Sequence, residues 1–357
     1  MNEPETFEIL VDGASITARA GETVLQAAAR AGIEIPTLCH DDRLDPMGSC
    51  RMCLVEVAGS RRLQPACAWK AAAGMEVKCE TERVARHRVH LLEMYLADHA
   101  APATPEPLAP KNQVLQLAER YGATRRLPAL EARREARADA NPYVHFDPDQ
   151  CILCARCVRY CDEVEAVSAI TLAGRGAKTT IATAAQTQLL DTTCELCGGC
   201  IDTCPTGAMR EKKPRSVVEL AQPVKQVRTT CNFCGVGCQL DLHVADEKVV
   251  KVSAPPTGTT LNDGNLCVKG RFAYDFIHHE ERLTKPLVRE NGQLVETSWE
   301  IALKRAAEGL RGVEQRYGAQ ALGFVSSSRC TGEENYLVQK LARAAFGTNN
   351  CHQCAAT

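Results

Sequence analysis

The residues of this sequence best suited to chemistry are its cysteines, 20 in 357 residues. Two runs share the spacing Cys-x2-Cys-x2-Cys-x3-Cys: the first run is Cys151, Cys154, Cys157 and Cys161, and the second run is Cys194, Cys197, Cys200 and Cys204. Thiolates at this spacing hold three corners of a [4Fe–4S] cluster, and in two-cluster proteins the fourth cysteine of each run ligates the other cluster. The spacing therefore predicts one cluster on Cys151, Cys154, Cys157 and Cys204, and a second on Cys194, Cys197, Cys200 and Cys161. Structural zinc is the alternative, but zinc sites use pairs of cysteines.

Two further groups of four cysteines stand on either side of these runs. The first cysteine group is Cys39, Cys50, Cys53 and Cys67, and the last cysteine group is Cys231, Cys234, Cys238 and Cys267. The first group has one long loop and a close pair, which fits a [2Fe–2S] cluster, although plant-type ferredoxins have four residues where this chain has ten. The last group offers four thiolates to another [4Fe–4S] cluster, with zinc as the alternative on spacing alone. The expected cofactors are one [2Fe–2S] and three [4Fe–4S] clusters.

Composition limits the classes of function. Lys plus Arg total 42 and Asp plus Glu total 44, so the net charge of −2 argues against a nucleic-acid partner or a membrane surface held by bulk charge. No apolar run approaches the roughly 20 residues of a transmembrane helix, and the N-terminus has no export signal. We therefore expect a cytoplasmic protein, in which clustered cysteines serve metal or redox chemistry rather than disulfides.

The elements around the first cysteine group predict a small α+β domain over residues 1–80. Alternating apolar residues at 7–11 and 15–18, around Asp12-Gly13, predict a β-hairpin. Residues 23–31 predict a short helix ended by glycine, and residues 54–57 predict a strand.

The remaining elements follow the cysteine pattern. Helices are expected at 87–97 and 114–121, with an irregular proline-rich loop at 100–110 between them. A charged helix or linker is expected at 125–138, and a second hairpin at 240–252 that turns at Asp246-Glu247. A capping box from Thr297 to Glu300 predicts the next helix, after which a strand and a helix are expected with no following strand. The expected modules are a [2Fe–2S] domain at 1–80, a helical region at 81–125, a linker at 126–143, a tandem [4Fe–4S] domain at 144–215, a further [4Fe–4S] domain at 226–282 and the start of an α/β domain at 283–357.

The cysteine motifs and their order along the chain resemble those of a known family. Residues 1–80 are similar to the N-terminal domain of cytosolic, NAD(P)-linked molybdenum or tungsten formate dehydrogenase α subunits, a domain shared with the large iron–sulfur subunit of respiratory NADH dehydrogenase. Residues 144–210 resemble the tandem [4Fe–4S] insert of these formate dehydrogenases. Residues 226–357 resemble the start of their molybdopterin oxidoreductase domain, through the motifs Cys231-Asn-Phe-Cys234-Gly-Val-Gly-Cys238 and Cys267-Val268-Lys269-Gly270.

The resemblance implies a modular α+β fold and an activity. It implies a β-grasp [2Fe–2S] domain, a helical region, a tandem bacterial-ferredoxin domain and an unfinished α/β unit. It implies formate oxidation at a molybdenum or tungsten bis-molybdopterin guanine dinucleotide in the full-length protein, with electrons passing to flavin/NAD(P)-binding and thioredoxin-like [2Fe–2S] partner subunits. In this family the lysine after the fourth cysteine, here Lys269, lies between cluster and pterin and helps electrons to pass.

One departure from the family concerns a cluster bound by one histidine and three cysteines. His99 aligns with the histidine, but Ala103, Glu106 and Asn112 stand at the cysteine positions. One imidazole cannot hold a cubane, so we expect this cluster to be absent and His99 to be structural. Electrons would then pass directly from the tandem pair to the [2Fe–2S] site, or the partner subunits would differ.

The last residues resemble the run that precedes the metal ligand in formate dehydrogenases. Cys354-Ala355 matches its Cys-Ala, although Ala356 stands where arginine is usual. We expect the sequence to be a translation cut at a selenocysteine codon, so no catalytic residue is expected within the chain. A true short protein or a deliberate fragment is the alternative for the chain. For the function, the alternative is a non-catalytic electron-transfer subunit of an NADH dehydrogenase or a bifurcating hydrogenase.

Overall fold

The chain begins with the predicted hairpin. β1 (Thr6–Val11) and β2 (Ala14–Arg19) pair antiparallel around Asp12 and Gly13, which both adopt positive φ. The sheet also contains β3 (Leu54–Val57), β4 (Gln64–Pro65) and β5 (Glu76–Lys78), in the order β2-β1-β5-β3-β4 with β1 and β5 parallel. Helix α1 (Val24–Arg30) is capped by the Thr23 hydroxyl and buries its apolar face in the core of this sheet. The predicted hairpin, helix and β3 strand are confirmed.

The computed structural model describes residues 5–99, 112–129, 134–135, 137–212 and 224–354. They fall into two compact units, Met1–Leu220 and Ala221–Thr357. The predicted proline-rich loop, the junction at 213–223 and the last three residues lie outside the described residues. No helix within the described ranges is long and apolar enough to cross a membrane.

Two helices follow the first sheet. α2 (Glu82–Asp98) begins five residues earlier than predicted, because the Thr81 hydroxyl accepts the Val84 N–H and caps it. α3 (Gln113–Tyr121) is capped by Asn112 and ends at Gly122 in the left-handed region. The two helices share an apolar core with the loop of the first cysteine group. Within 125–138, the described residues form no helix, which favours the linker interpretation.

The tandem region is an internal duplication at the level of the backbone. In the first run, Leu153 and Ala155 have positive φ of 54° and 58°, and in the second run Leu196 and Gly198 have 54° and 76°. Each run then enters a short helix, α4 (Arg156–Arg159) or α5 (Gly199–Asp202). The hairpin β7 (Ile170–Ala173) and β8 (Thr180–Thr183) lies between the runs, and β6 (Val144–Phe146) pairs antiparallel with β9 (Met209–Glu211).

The C-terminal unit begins with an antiparallel sheet of β10 (Lys225–Thr230), β11 (Gln239–Ala245) and β12 (Lys248–Ser253). The predicted turn at Asp246 and Glu247 is confirmed, and both residues adopt positive φ. α6 (Val268–Phe272) packs near β12, and a hairpin of β13 (Leu287–Glu290) and β14 (Gln293–Glu296) follows.

The predicted capping box at Thr297 is wrong by one residue. α7 (Trp299–Tyr317) begins at Ser298, whose hydroxyl accepts the Ile301 N–H at 3.3 Å. The backbone N–H of Thr297 instead donates to the Pro286 carbonyl, so Thr297 extends the β13–β14 hairpin and is unavailable as the cap.

The prediction that no strand follows the last helix is also wrong. β15 (Phe324–Ser327), α8 (Gly332–Lys340) and β16 (Cys351–Cys354) form a β-α-β unit, in which Phe324 lies opposite Cys351 in a parallel pair. The sequence Cys-His-Gln-Cys has little intrinsic strand preference. Its extended conformation therefore comes from pairing with β15, which composition does not reveal.

Candidate iron–sulfur sites

The first cysteine group lies between α1 and β5, with Cys39, Cys50 and Cys53 before β3 and Cys67 after β4. All four thiols are at most 3% exposed. The backbone N–H of Leu38 donates to Cys50 Sγ, and that of Cys50 donates to Cys39 Sγ, each at 3.4 Å. Amide donors aimed at sulfur favour the thiolate form over the thiol, because they stabilise negative charge.

The four thiols of this group are organised as two pairs. A hydrogen bond from Cys50 lowers the pKa of Cys39 to about 5, and the same contact together with burial raises the pKa of Cys50. Cys67 and Cys53 repeat the arrangement, since their hydrogen bond lowers the pKa of Cys67 and raises that of Cys53. Each iron of a [2Fe–2S] cluster takes two protein ligands, so two thiol pairs fit this donor requirement.

The tandem cysteines separate into two cavities. One cavity is lined by Cys151, Cys154, Cys157 and Cys204. The other is lined by Cys161, Cys194, Cys197 and Cys200. Each cavity thus receives three thiols from one run and the fourth from the other run. This crossed grouping is the one that the spacing predicted.

Backbone amides also point at the sulfurs of the tandem region. Leu153 N–H donates to Cys151 Sγ at 3.4 Å, and Leu196 N–H donates to Cys194 Sγ at 3.3 Å. Since Leu153 and Leu196 are left-handed residues at the same place in their runs, the alternating φ values turn the amides inward. Each run therefore provides the same arrangement of amides that stabilises negatively charged sulfur.

Burial keeps the first three thiols of the first run, those of Cys151, Cys154 and Cys157, protonated in the absence of a bound group. It raises the pKa of Cys151 to about 11 and that of Cys154 to about 12, and it raises the pKa of Cys157 further. Iron ligation requires thiolates, so binding at this cavity would release protons.

The last cysteine group is held by one loop and one helix end. Cys231 N–H donates to the Cys238 carbonyl at 2.8 Å, and burial raises the pKa of both thiols, to which the nearby Cys234 and Cys267 also contribute. Cys267 is the N-terminal cap residue of α6, which places Lys269 on its first turn with an exposed side chain.

The alternative of a structural zinc ion requires closely spaced ligands. A tetrahedral zinc ion with Zn–S bonds of about 2.3 Å holds its sulfurs roughly 3.8 Å apart. Among the residues that the structure describes, no three His, Cys, Asp or Glu side chains close around one such point.

The region of the missing histidine–cysteine cluster contains a hydrogen-bonded pair. His99 is 2% exposed, and its Nε2 lies 2.7 Å from Nδ2 of Asn112. The Asn112 amide also donates to the Thr206 carbonyl, while its oxygen accepts the N–H groups of Val114 and Leu115. The other two aligned positions, Ala103 and Glu106, lie outside the described residues. The absence of a cluster here stays a prediction, and Asn112 is the partner of His99 that spacing did not reveal.

A buried carboxylate joins the first cysteine loop to the tandem region, and sequence reasoning missed it. Asp41 pairs with Arg43 at 2.9 Å and with Arg156 at 3.3 Å, and accepts the Thr203 hydroxyl at 2.8 Å. These partners hold the pKa of Asp41 below its usual range, although burial opposes them. Arg159 adds a hydrogen bond to the Cys39 carbonyl. Because Arg156 and Thr203 are more than 100 positions from Asp41, no local pattern signals this contact.

Comparison with known families identifies the same modules. Residues 5–82 match a 2Fe-2S iron-sulfur cluster binding domain, and residues 141–210 match the ferredoxin-like domain of NADH-quinone oxidoreductase subunit 3. Residues 224–279 match the molybdopterin oxidoreductase Fe4S4 domain, and residues 282–357 match the molybdopterin oxidoreductase family itself. All four cysteine sets fall within a matched cluster-binding domain.

Individual relatives share this arrangement over nearly the whole chain. The NADPH-Fe(3+) oxidoreductase subunit alpha of Geobacter sulfurreducens is 35% identical over 96% of this chain and 39% of its own length. An NADH-quinone oxidoreductase subunit from Rhizobium meliloti is 36% identical over 96% of this chain and 40% of its own length. In Bacillus subtilis, the protein YrhE, whose formate dehydrogenase name is provisional, is 30% identical over 99% of this chain and 40% of its own length. The chain thus spans about two fifths of these relatives.

A solved structure gives a likeness in three dimensions. A chain in the crystal structure of NAD+-reducing [NiFe]-hydrogenase in the H2-reduced state is 32% identical, with a TM-score of 0.51, over 58% of this chain and 87% of that chain. Taken together, the matches identify four modules in this chain in the order of a [2Fe–2S] domain, a ferredoxin-like domain, a molybdopterin oxidoreductase Fe4S4 domain and a segment similar to molybdopterin oxidoreductases.

Proposed function

We propose that this chain is the iron–sulfur electron-transfer part of a formate dehydrogenase α subunit. Electrons from formate, oxidised at a molybdenum or tungsten pterin site of the full-length protein, would leave through these domains to a flavin/NAD(P)-binding partner and a thioredoxin-like [2Fe–2S] subunit. The relatives named for NADPH-dependent iron(III) reduction, NADH–quinone chemistry and formate oxidation support an oxidoreductase role.

The observation that carries the proposal is the sorting of 16 thiols into four separate sets of four. When bound, iron–sulfur clusters accept and release single electrons. The sixteen residues that would hold them are Cys39, Cys50, Cys53 and Cys67; Cys151, Cys154, Cys157 and Cys204; Cys161, Cys194, Cys197 and Cys200; and Cys231, Cys234, Cys238 and Cys267. The thiols of these sets would serve as negatively charged ligands, and backbone amides donate hydrogen bonds to their sulfurs. Such clusters require this environment.

Two of the four sites adjoin the same apolar core. Cys39 and Cys50 belong to the core that α2 and α3 build, and Ile152 and Cys154 of the first run pack against it. Tyr95 also packs there and its hydroxyl donates to the Cys50 carbonyl at 3.4 Å. The two sites therefore adjoin one dry core, which supports the direct route over one through the region of His99.

Lys269 is proposed to assist transfer between the last cysteine group and the pterin. Its support is its place in α6, two positions after Cys267, with its ammonium exposed on the surface of the C-terminal unit. Exchange to methionine, which keeps the length of the side chain and removes its charge, should slow formate-dependent reduction of the clusters in the full-length protein without changing the iron content.

Metal analysis tests the cluster part of this proposal. Anaerobic reconstitution of the chain should yield roughly 14 iron atoms per chain, the sum of one [2Fe–2S] and three [4Fe–4S] clusters, with matching labile sulfide. Exchange of Cys204 to serine should remove the signals of the cluster at Cys151, Cys154 and Cys157, and leave those of the second run in place. Stoichiometric zinc with little sulfide would contradict the proposal.

A second candidate is a non-catalytic electron-transfer subunit of an NADH dehydrogenase or hydrogenase complex. This chain covers 87% of a chain of the NAD+-reducing hydrogenase, and that similarity favours the second candidate. The full-length protein with its native partners separates the two candidates by electron paramagnetic resonance. Formate should reduce the clusters if the first proposal holds. Reduction by NAD(P)H or hydrogen but not by formate would select the second candidate.

A further inference from the structure

We propose that Arg88 is a positioning residue for the [2Fe–2S] site, which holds the backbone on both sides of Cys53 and keeps a buried positive charge beside the cluster. This inference rests on the proposed function, in which the first cysteine group binds that cluster. It assigns to α2, a helix outside the cluster-binding loop, a role in setting the reduction potential of that cluster.

The guanidinium of Arg88 reaches the cysteine loop directly. Arg88 is fully buried on α2. Its Nε donates to the Met52 carbonyl at 3.2 Å, and its Nη2 donates to the Leu54 carbonyl at 3.5 Å. Cys53 and Leu54 lie between these two carbonyls, so one rigid guanidinium fork holds the backbone directly before this ligand and again one residue after it.

The charge of Arg88 is only partly compensated. Its Nη1 donates to Glu80 Oε1 at 2.6 Å and lies 2.8 Å from the Tyr121 hydroxyl. The Glu80 side chain is 45% exposed, whereas that of Arg88 is 0% exposed. Water therefore screens the carboxylate more than the guanidinium, and the surroundings of Cys53 keep a positive field. Reduction adds one negative charge to a cluster, so this field favours the reduced form and raises the reduction potential.

A purely structural buried arginine would behave differently. It would affect folding and iron content when removed, but neutralising its partner Glu80 would not change the potential in the opposite direction. The helix also supplies a matched control, because Arg83 is a cation of α2 whose side chain is 50% exposed and pairs with Glu56 at 3.4 Å.

The test is a redox titration of the reconstituted chain, followed by the electron paramagnetic resonance signal of the reduced [2Fe–2S] cluster. Arg88→Gln should shift the equilibrium about threefold to tenfold toward the oxidised cluster, which is roughly 28 to 59 mV for one electron. Glu80→Gln should shift it the other way. Arg88→Lys, which keeps the charge, should stay closer to the wild type than Arg88→Gln, and Arg83→Gln should leave the potential unchanged.

The outcomes separate the two proposals. If Arg88→Gln and Glu80→Gln both keep the wild-type potential, the inference about Arg88 is overturned while the cluster assignment stands. If Arg88→Gln loses the cluster, a purely structural arginine would explain that loss equally well, and Glu80→Gln, which keeps the guanidinium, then decides: an unchanged potential in Glu80→Gln overturns the inference. A wild-type chain that forms no [2Fe–2S] signal would overturn the proposed function instead.

Discussion

At the scale of single residues, His99 shows how a histidine, a common metal ligand, can take a structural role. The oxygen of the Asn112 amide accepts two backbone N–H groups, so its nitrogen must face His99. A donor at that position requires an unprotonated Nε2 on His99, and the imidazole is therefore held neutral. Burial and the charge of Arg125 act in the same direction and lower the pKa of His99 to about 4.

This pKa predicts a dependence of stability on pH. In the unfolded chain His99 takes up a proton below about pH 6.5, whereas in the folded chain it does so only near 4. The unfolded state therefore binds more protons, and the free energy of unfolding should fall by about 2 kcal/mol between pH 7.5 and 5.0 through this residue. Denaturant titrations of the wild type and His99→Gln at both pH values would measure it.

The expected result is a smaller loss of stability in His99→Gln than in the wild type. His90, which lies on α2 with a side chain that is 66% exposed, supplies the control, and His90→Gln should keep the wild-type dependence. An equal pH dependence in His99→Gln and the wild type would refute the buried, neutral state of His99.

At the scale of elements, Asp41 ties the loop after α1 to α4 and α5. Exchange of Asp41 to asparagine leaves the nearly buried guanidiniums of Arg43 and Arg156 without their shared counter-charge. Breaking such a buried pair on one side costs about 3 kcal/mol, and we expect that loss in the free energy of unfolding. Denaturant titration would measure it, and limited proteolysis should show earlier cleavage between the first domain and the tandem region.

Asp42 provides the neighbouring control for that measurement. Its side chain is 77% exposed, and Asp42→Asn should change stability by less than about 0.5 kcal/mol. Equal effects of the Asp41 and Asp42 exchanges would show that the buried pairs do not hold these elements together.

The contact between α5 and the segment after α4 requires a glycine at position 199. A Cβ added at Gly199 would lie 1.9 Å from Cε1 of Tyr160, a ring that is 1% exposed. Gly199→Ala should therefore displace Tyr160 or α5 and reduce the iron bound by the second run, at a cost of roughly 3 kcal/mol or more. Iron content and thermal unfolding of the reconstituted chain would show it.

Gly309 is the matched glycine in an open environment. It lies within α7 with no atom within 4 Å of an added Cβ, so Gly309→Ala should leave the iron content unchanged and stabilise its helix by up to about 1 kcal/mol. Full cluster loading in Gly199→Ala would contradict the packing of Tyr160 against α5.

At the scale of the whole molecule, the domains differ in how they obtain their stability. The N-terminal sheet has an apolar core of its own, with Ile9, Val11, Val24, Val55 and Val77 at most 1% exposed. In the tandem region the cysteines line two cavities instead of packing against one another. Metal binding should therefore supply a larger share of the folding free energy there than in the first domain.

Removal of iron tests this difference. Anaerobic treatment with a chelator should increase hydrogen exchange over residues 144–212 before the strands β1 and β2 lose protection, with an iron-supplemented sample as the control. A tandem region that stays protected and resistant to protease without iron would show that its folding does not depend on the clusters.

The sequence alone determined what local backbone geometry controls. The repeated cysteine spacing predicted the crossed grouping of thiols, and Asp-Gly and Asp-Glu turns predicted two hairpins, because each depends on neighbours within a few residues. Two predictions were wrong because they depend on contacts beyond the nearest residues. Ser298 rather than Thr297 caps α7, and β16 is extended because it pairs with β15.

Tertiary structure alone decided the contacts between distant residues. The pairing of Asn112 with His99, the joining of Asp41 to Arg156 and Thr203, and the clamp of Arg88 on the peptides around Cys53 leave no mark in composition or periodicity. A buried charge or imidazole needs partners wherever the fold can supply them, and these partners lie 13 to more than 100 positions away in the chain. The sequence therefore predicted the thiol sets, and the fold decided the groups that surround them.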